Sequence, residues 1–185
     1  MSLPDQNAFI DQILELYAAR GGEHYGEDVS QSEHAEQCAH HARVDGADDE
    51  LIVAALLHDI GHLLQKQGID AADRGIDTRH ERIGAGFLAR GFSAAVSEPV
   101  ALHVPAKRYL AATVPGYIDR LSTASLQSLA LQGGPMDAAE CEAFREHPYH
   151  EAALRLRGYD EMGKAVGATP PPVASYASLL RAVRL

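Results

Sequence analysis

Apolar residues recur at intervals of three and four along most of the chain, which is the spacing of one face of an α-helix. The first such stretch carries apolar side chains at Phe9, Ile10, Ile13, Leu14 and Tyr17. Few segments alternate apolar and polar residues in the manner of a β-strand. The pattern therefore predicts an all-α protein.

Capping residues indicate where the helices begin and end. Ser30 and Glu33 have the spacing of a capping box, while Asp48 and Asp137 are N-cap candidates. With the apolar spacing, these signals predict helices over 9–20, 31–45, 51–64, 79–90, 97–112, 120–131, 138–146 and 148–164, and a last one from Ser175. The expected fold is a helical bundle of roughly eight helices.

Pro105 falls inside the predicted helix over 97–112. Proline removes a backbone hydrogen bond and disfavours the helical conformation of the preceding residue. The sequence therefore predicts either a kink at Pro105 or a new helix that starts there.

Length and charge limit the class of protein. A chain of 185 residues with 46% hydrophobic residues is long enough for one core, so residues 1–185 are predicted to form a single domain. The net charge of -10 argues against a nucleic-acid partner, because such binding depends on Lys and Arg neutralising phosphates. The sequence makes no prediction of the oligomeric state.

The predicted location is the cytoplasm. The two cysteines, Cys38 and Cys141, suggest no disulfide framework. The first residues lack the basic start and apolar run of a signal peptide. No stretch approaches the roughly 20 apolar residues that span a bilayer, so no membrane contact is expected.

Six histidine and aspartate side chains interrupt the apolar helical segments: His34, His58, Asp59, His80, His103 and Asp160. A lone histidine in such a place is usually a satisfied core residue. Four imidazoles and two carboxylates, however, exceed what one four-coordinate ion needs, and they suit iron, manganese or zinc. The set therefore indicates two metal ions, with the two carboxylate oxygens of Asp59 able to bridge them.

The order of these residues resembles a known family. His34, the His58-Asp59 pair and Asp160 follow the H…HD…D pattern of the HD-domain superfamily. The segment HVPAKRYL (103–110) is similar to the oxygenase branch that includes myo-inositol oxygenase. With YGEDVSQSEHAEQ and LRLRGYDEMGK, the chain resembles the HD-domain mixed-valent diiron oxygenases of phosphonate catabolism over about residues 20–165.

The resemblance implies a cofactor of two iron ions, Fe(II)/Fe(III), with O2 as co-substrate. One iron would be held by His34, His58, Asp59 and Asp160. The other would be held by His80, His103 and the bridging Asp59.

The resemblance also implies the reaction. A 1-hydroxyphosphonate such as 2-amino-1-hydroxyethylphosphonate or its N-methylated analogue would lose its carbon–phosphorus bond. The products would be phosphate and a carboxylic acid such as glycine. Asp59, Lys107 and His62 are the expected catalytic residues.

Four residues, two of them also expected to be catalytic, are expected to bind the phosphonate end of the substrate. His62 lies four residues after His58, hence on the same helix face. Lys107 follows His103 by four residues, and Arg157 precedes Asp160 by three. The resemblance adds Ser125, on a helix beside the phosphonate. Convergent Arg, Lys, His and hydroxyl donors suit a phosphonate dianion.

The segment HYGE (24–27) is expected at the other end of the substrate. In the family a tyrosine before Gly-Glu occupies an iron position until substrate binds, and the glutamate receives the substrate ammonium. Glu27 matches the glutamate. Tyr25 is the candidate gate, but His24 stands where the tyrosine is expected, so His24 is an alternative.

Two other functions can use this scaffold. A metal-dependent phosphohydrolase would activate water against a phosphate ester or nucleotide, and a regulatory domain would bind a metal or metabolite without catalysis. The complete ligand set favours an enzyme. The oxygenase-like segment around His103 favours the dioxygenase.

Overall fold

A computed structural model describes residues 6–185. In that range the chain forms ten α-helices and no β-strand, apart from one isolated backbone bridge. The helices are α1 (Gln6–Arg20), α2 (Gln31–Val44), α3 (Asp49–Leu57), α4 (Ile60–Leu64), α5 (His80–Leu88), α6 (Ala94–Thr113), α7 (Thr123–Leu131), α8 (Ala138–Glu146), α9 (His150–Met162) and α10 (Ala177–Val183). The all-α prediction is confirmed, with ten helices among the described residues where roughly eight were expected.

The predicted caps are present. Ser30 forms a reciprocal capping box with Glu33 at the start of α2, and Asp137 does the same for α8. The Asp48 side chain accepts from the backbone N–H of Leu51 at the start of α3. Each cap satisfies backbone donors that have no partner within the helix, which fixes where the helix begins.

The apolar helix α3 lies at the centre of the fold. All seven residues from Leu51 to Leu57 are buried. It packs against α2, α6, α9 and α10, while α6 also packs against α5 and α9. One region is therefore surrounded by five helices, namely α2, α3, α5, α6 and α9. The end of α3 that leads into His58 and Asp59 points at this region.

The prediction of one continuous helix over 51–64 was wrong. This segment forms two helices, α3 and α4, which are separated at His58-Asp59. Asp59 has φ -98° and ψ 7°, outside the helical region. The backbone N–H of His62 then donates to the carbonyl of Asp59. The break is local, and it lets His58 and Asp59 leave the regular helical spacing.

Pro105 does not start a new helix, because α6 runs continuously from Ala94 through Pro99 and Pro105 to Thr113. Its packing against α3, α5 and α9 outweighs the lost hydrogen bonds. His103 and Lys107 are therefore on one continuous helix, and both are buried.

Several helix ends differ from the prediction by two or three residues, which is common at helix termini. Helix α9 begins at His150 rather than at Pro148, and it ends at Met162, so Lys164 lies beyond it. A short 3-10 helix over Val173–Tyr176 precedes α10. None of the helices among the described residues is long and apolar enough for a membrane span.

Candidate functional site

The six predicted metal ligands come together in the interior of the protein. Four lie on helices, and His58 and Asp59 lie at the break between α3 and α4. His34 is in the first turn of α2, His58 ends α3, Asp59 is in the break, and His80 is the first residue of α5. His103 comes from α6 and Asp160 from α9. Apart from Asp59, whose side chain is 16% exposed, all are buried.

The histidines form two facing pairs. The Nε2 atoms of His34 and His58 are 3.2 Å apart, and those of His80 and His103 are 3.0 Å apart. Two nitrogens bound at right angles to one metal ion, each at about 2.1 Å, lie about 3 Å apart. Both separations therefore match neighbouring ligands of a single ion.

Hydrogen bonds on the far side of the rings fix which nitrogen carries the proton. The Nδ1 atoms of His34, His58 and His103 donate to the carbonyls of Gly163 (2.9 Å), Ala55 (2.9 Å) and Val100 (2.7 Å). A carbonyl only accepts, so in the neutral ring Nε2 is left with a lone pair.

The lone pairs of His34 and His58 thus point at each other. Such an arrangement is repulsive unless a cation lies between the nitrogens. The donor set therefore fits a bound metal, with the backbone carbonyls orienting the ligating rings.

Asp59 lies between the two histidine pairs. Its Oδ2 is 3.6 Å from Nε2 of His34, and its Oδ1 is 3.5 Å from Nε2 of His58. The same Oδ1 is 3.4 Å from Nε2 of His80 and 3.6 Å from that of His103. One carboxylate thus faces both pairs, as a bridging ligand does.

Asp160 completes the first group. Its Oδ1 is 3.4 Å from Nε2 of His34 and 4.0 Å from that of His58. Burial opposes its charge, but Arg157 and the hydrogen bond with His34 outweigh burial and hold the pKa of Asp160 well below its usual range. Asp160 is therefore an anionic candidate ligand at neutral pH.

The backbone around the ligands is unusual at two points. Arg79, directly before His80, has a φ of 50°, the one positive value at a non-glycine residue in the described range; such residues are often held in place at functional sites. Gly163 approaches α2 so closely that a Cβ would lie 2.4 Å from Sγ of Cys38. This contact lets the Gly163 carbonyl reach His34.

Cys38 lies next to this group, but the sequence did not predict it as a ligand. Its Sγ is 3.8 Å from both ring nitrogens of His34. An atom equidistant from Nδ1 and Nε2 contacts the edge or face of the ring between them rather than the lone pair alone. The position agrees with the predicted buried, reduced thiol.

A cavity of about 150 Å³ opens beside the metal-ligand cluster, and its lining includes His34, Asp59, His80, His103 and Asp160. Three predicted substrate residues, Lys107, Ser125 and Arg157, also line it, and all three are buried. The Lys107 Nζ donates to Oγ of Ser128 at 2.7 Å. Burial, followed by the charge of Arg157, lowers the pKa of Lys107 to about 7.

Two of the three guanidinium nitrogens of Arg157 have acceptors among the described residues. Its Nη1 pairs with Asp160, and its Nε donates to Oη of Tyr117 (3.0 Å) and to Glu161 (3.1 Å). Its Nη2 is buried and has no partner among the described residues. Burying a guanidinium donor without an acceptor costs free energy. The cavity that Arg157 lines is therefore expected to bind an anion.

His62 is on the cavity wall between two rings. It stacks on His80, with ring centroids 4.0 Å apart, and on Tyr25, with centroids 4.6 Å apart. Its Nδ1 is buried without a hydrogen-bond partner in the described part of the chain. Burial, with His80 next, lowers the pKa of His62 to about 3, so the ring is neutral.

The two gate candidates are both away from the metal ligands in this structure. The Oη of Tyr25 is 2.6 Å from Oε2 of Glu23 and 2.8 Å from the carbonyl of His62. His24 is exposed, with Nδ1 3.3 Å from the carbonyl of Glu27. Neither candidate is favoured by proximity to a ligand, and the gate stays a prediction.

Glu27 lines the cavity, as predicted, and has a partner that the sequence analysis missed. Its Oε1 accepts from Nζ of Lys164 at 2.6 Å and from Oγ of Ser122 at 2.7 Å. The Lys164 Nζ also donates to Oγ of Ser125 at 2.9 Å. Lys164 is four residues after Asp160. On one helix this spacing would place the two side chains on the same face, but α9 ends at Met162, so the spacing does not predict where Lys164 lies.

The chain was compared with known proteins. The HD domain model matches residues 19–123. The chain is 40% identical to [1-hydroxy-2-(trimethylamino)ethyl]phosphonate dioxygenase (glycine-betaine-forming) of Leisingera caerulea, over 98% of this chain and 95% of the relative. It is 43% identical to hydroxymethylphosphonate dioxygenase of Gimesia maris, over 90% of this chain and 84% of the relative. The chain therefore belongs to the HD-domain family, in the branch that contains these phosphonate dioxygenases.

Proposed function

We propose that this protein uses O2 to cleave the carbon–phosphorus bond of a 1-hydroxyphosphonate. The observation that carries the proposal is the arrangement of the two histidine pairs with Asp59 between them. Beside them is a cavity lined by the buried cations Lys107 and Arg157. The names of both relatives specify a hydroxyphosphonate and a dioxygenase. The comparisons do not favour the alternative, a phosphohydrolase.

The HD domain and the dioxygenase relatives imply a metal, and we propose two iron ions, Fe(II)/Fe(III). His34, His58, Asp59 and Asp160 would hold one, and His80, His103 and Asp59 the other. Imidazole and carboxylate ligands suit iron. When bound, the metals supply the one-electron chemistry that O2 needs and a Lewis acid for the substrate hydroxyl.

The overall reaction balances with O2 alone. The substrate R–CH(OH)–PO3(2-) and O2 give R–COO(-) and H2PO4(-). The carbon–hydrogen, carbon–phosphorus and O–O bonds break. The carbon is oxidised to a carboxylate and O2 is reduced, so no other oxidant or reductant takes part.

The phosphonate is proposed to bind to Lys107, Arg157 and Ser125. Among the described residues, Nη2 of Arg157 has no acceptor, and the Lys107 ammonium donates to Ser128. Charge-assisted bonds from both cations to phosphonate oxygens would satisfy them. Tethering the phosphonate in this way orients the carbon–hydrogen bond toward the ligand cluster.

His62, Asp59 and Lys107 are the proposed catalytic residues. His62 lines the cavity, and its buried Nδ1 has no partner among the described residues, which supports a hydrogen bond from this ring to the substrate. Asp59 would hold both metals, and Lys107 would stabilise the negative charge that gathers on the departing phosphorus group. Tyr25 or His24 is the proposed gate, and Tyr25 is the one that packs on His62.

We also propose that residues 1–185 act as one HD domain, on a small-molecule phosphonate and without nucleic acid, in the cytoplasm. The surplus of acidic residues supports the lack of a nucleic-acid partner. The free thiols of Cys38 and Cys141 are in keeping with a reducing compartment.

The test measures phosphate release from hydroxymethylphosphonate and from 2-amino-1-hydroxyethylphosphonate by the iron-loaded protein, with and without O2. The proposal expects one O2 consumed per phosphate released and no phosphate under anaerobic conditions. Equal release without O2 would indicate hydrolysis instead. A phosphate monoester is the matched control substrate, and its turnover would support the hydrolase.

A further inference from the structure

The end of the cavity at Glu27 carries a lysine that changes the charge offered to the substrate. We propose that Lys164, by neutralising Glu27, selects 1-hydroxyphosphonates whose substituent has no positive charge. The inference rests on the proposed function and goes beyond it, since the names of the two relatives differ on this point. One names a trimethylamino group and the other an unsubstituted hydroxymethyl group.

The first step of the argument is the hydrogen bonding of Glu27. The same oxygen, Oε1, receives Nζ of Lys164 (2.6 Å) and Oγ of Ser122 (2.7 Å). Both charged side chains are largely buried, at 19% and 25% exposure. A pair this close and this shielded from solvent has little residual field, so Glu27 does not present the free negative charge that the sequence indicated.

The second step concerns the position of the ammonium. Lys164 is held by Ser125 at 2.9 Å and by Ser122 at 3.3 Å in addition to Glu27. Its three donors thus have three acceptors. A cationic substituent on the substrate would have to displace an ammonium that is already fully bonded, or to lie beside it as a like charge.

The third step concerns aromatic rings. A trimethylammonium group binds best against the faces of several aromatic side chains. The chain has no tryptophan, and Tyr25 is the only tyrosine or phenylalanine among the described residues that line the cavity. The Tyr25 ring already stacks on His62. The cavity therefore lacks an aromatic cage that would offset the repulsion.

Two backbone segments also pack closely together at the Glu27 end of the cavity. Gly26 has a φ of 78°, and a Cβ there would lie 3.2 Å from Cβ of Ala124. The loop that carries Glu27 therefore packs directly on α7, the helix that supplies Ser125.

The test measures ligand affinity by isothermal titration calorimetry on the iron-loaded protein without O2. Two pairs of ligands separate charge from size. In the first pair, 2-amino-1-hydroxyethylphosphonate is matched by the neutral 1-hydroxypropylphosphonate. In the second, the trimethylammonium compound is matched by 1-hydroxy-3,3-dimethylbutylphosphonate. In each pair the heavy-atom skeleton is the same.

We expect the wild-type protein to bind the neutral member of each pair on the order of tenfold more tightly. In Lys164→Met the ratio should shift toward the cation by about tenfold, since Glu27 is freed. The double variant Glu27→Gln/Lys164→Met should lose that shift. Lys66→Met removes an exposed lysine outside the cavity and is the matched control.

Three results would overturn the inference. One is tighter binding of the cationic member by the wild-type protein. Another is an equal loss for both members in Lys164→Met, which would make Lys164 a phosphonate ligand. The third is a shift that persists in the double variant. Each readout is a ratio within one protein, and Lys164→Gln replaces Lys164→Met if circular dichroism shows misfolding.

Turnover is scored separately from affinity. If neither these four ligands nor hydroxymethylphosphonate releases phosphate in the presence of O2, the proposed function fails. The affinity ratios still decide whether Lys164 selects by charge. The two ideas therefore fail on different measurements.

Discussion

Gly61 and His80 approach so closely that a Cβ on Gly61 would lie 1.9 Å from the carbonyl oxygen of His80. Gly84 on α5 packs on the same point, where a Cβ would be 3.2 Å from the backbone nitrogen of Gly61. The contact holds the start of α5 against the break that follows α3. It thereby places Nε2 of His80 within 3.4 Å of Oδ1 of Asp59.

Gly61→Ala should therefore both destabilise the fold and damage the second histidine pair. The methyl group meets backbone, which cannot move aside cheaply, and overpacking of this kind costs about 1–3 kcal/mol. Urea unfolding of the metal-free protein gives the stability, and iron per chain gives the site. Gly86→Ala is the control, because nothing lies within 4 Å of a Cβ there. Equal stability of the two variants would contradict the argument.

His80→Ala should remove one metal ion and the oxygenase activity. It takes away one of two imidazoles that face each other at 3.0 Å, while the group around His34 keeps its ligands. Iron content by mass spectrometry should fall from two ions per chain to one. His40→Ala, an exposed histidine on α2, should keep both ions. Two irons and normal turnover in His80→Ala would refute the assignment of this ligand.

Lys107 should make the reaction sensitive to pH. Its pKa is lowered to about 7, so the ammonium that binds the phosphonate is present below pH 7 and is lost as the pH rises. In the wild-type protein kcat/KM should fall above that point, since this quantity reports the free enzyme. In Lys107→Arg the guanidinium stays charged, and the alkaline fall should be absent. The same pH profile in both proteins would exclude Lys107 as its origin.

The features that could be predicted from the sequence are those that local chemistry determines. The capping box of Ser30 and Glu33 lies within one turn and appears as expected. The six candidate ligands, which the structure brings together, stand out in the sequence because they are polar side chains in apolar helical stretches. Their order along the chain also matches a recognisable pattern.

The features that escaped prediction depend on contacts between distant segments. The break between α3 and α4 accompanies the contact of Gly61 with His80, which periodicity does not reveal. The pair of Lys164 with Glu27 joins residues 137 positions apart. The sequence pattern treated Lys164 as the end of a helix and left Glu27 free for a substrate cation.

Arg157→Lys should weaken substrate binding although it keeps the charge. The guanidinium donates to Asp160, Tyr117 and Glu161 through two of its nitrogens, and its buried Nη2, which has no acceptor among the described residues, is left for the proposed phosphonate. A lysine ammonium has no planar fork with which to do both. We expect KM for the phosphonate to rise about 10- to 100-fold, which corresponds to one lost charged hydrogen bond.

The matched control for Arg157→Lys is Arg155→Lys. Arg155 pairs with Asp45 at 2.9 Å on the surface, where an ion pair contributes little. Its KM should match that of the wild-type protein. An unchanged KM in Arg157→Lys would show that Nη2 does not contact the substrate.

Tyr25→Phe and His24→Ala should distinguish the two gate candidates. Burial, together with the hydrogen bond to Glu23, raises the pKa of Tyr25, so in the position described here it is a neutral phenol beside Glu23 and His62. If Tyr25 is the gate, its hydroxyl leaves Glu23 and binds Fe(III) as a phenolate when substrate is absent. The iron-loaded protein then has a visible phenolate-to-iron absorption band. Tyr25→Phe should lose this band and lower KM several-fold, because the substrate no longer competes with the hydroxyl. A band that survives in Tyr25→Phe, with KM altered in His24→Ala alone, would assign the gate to His24.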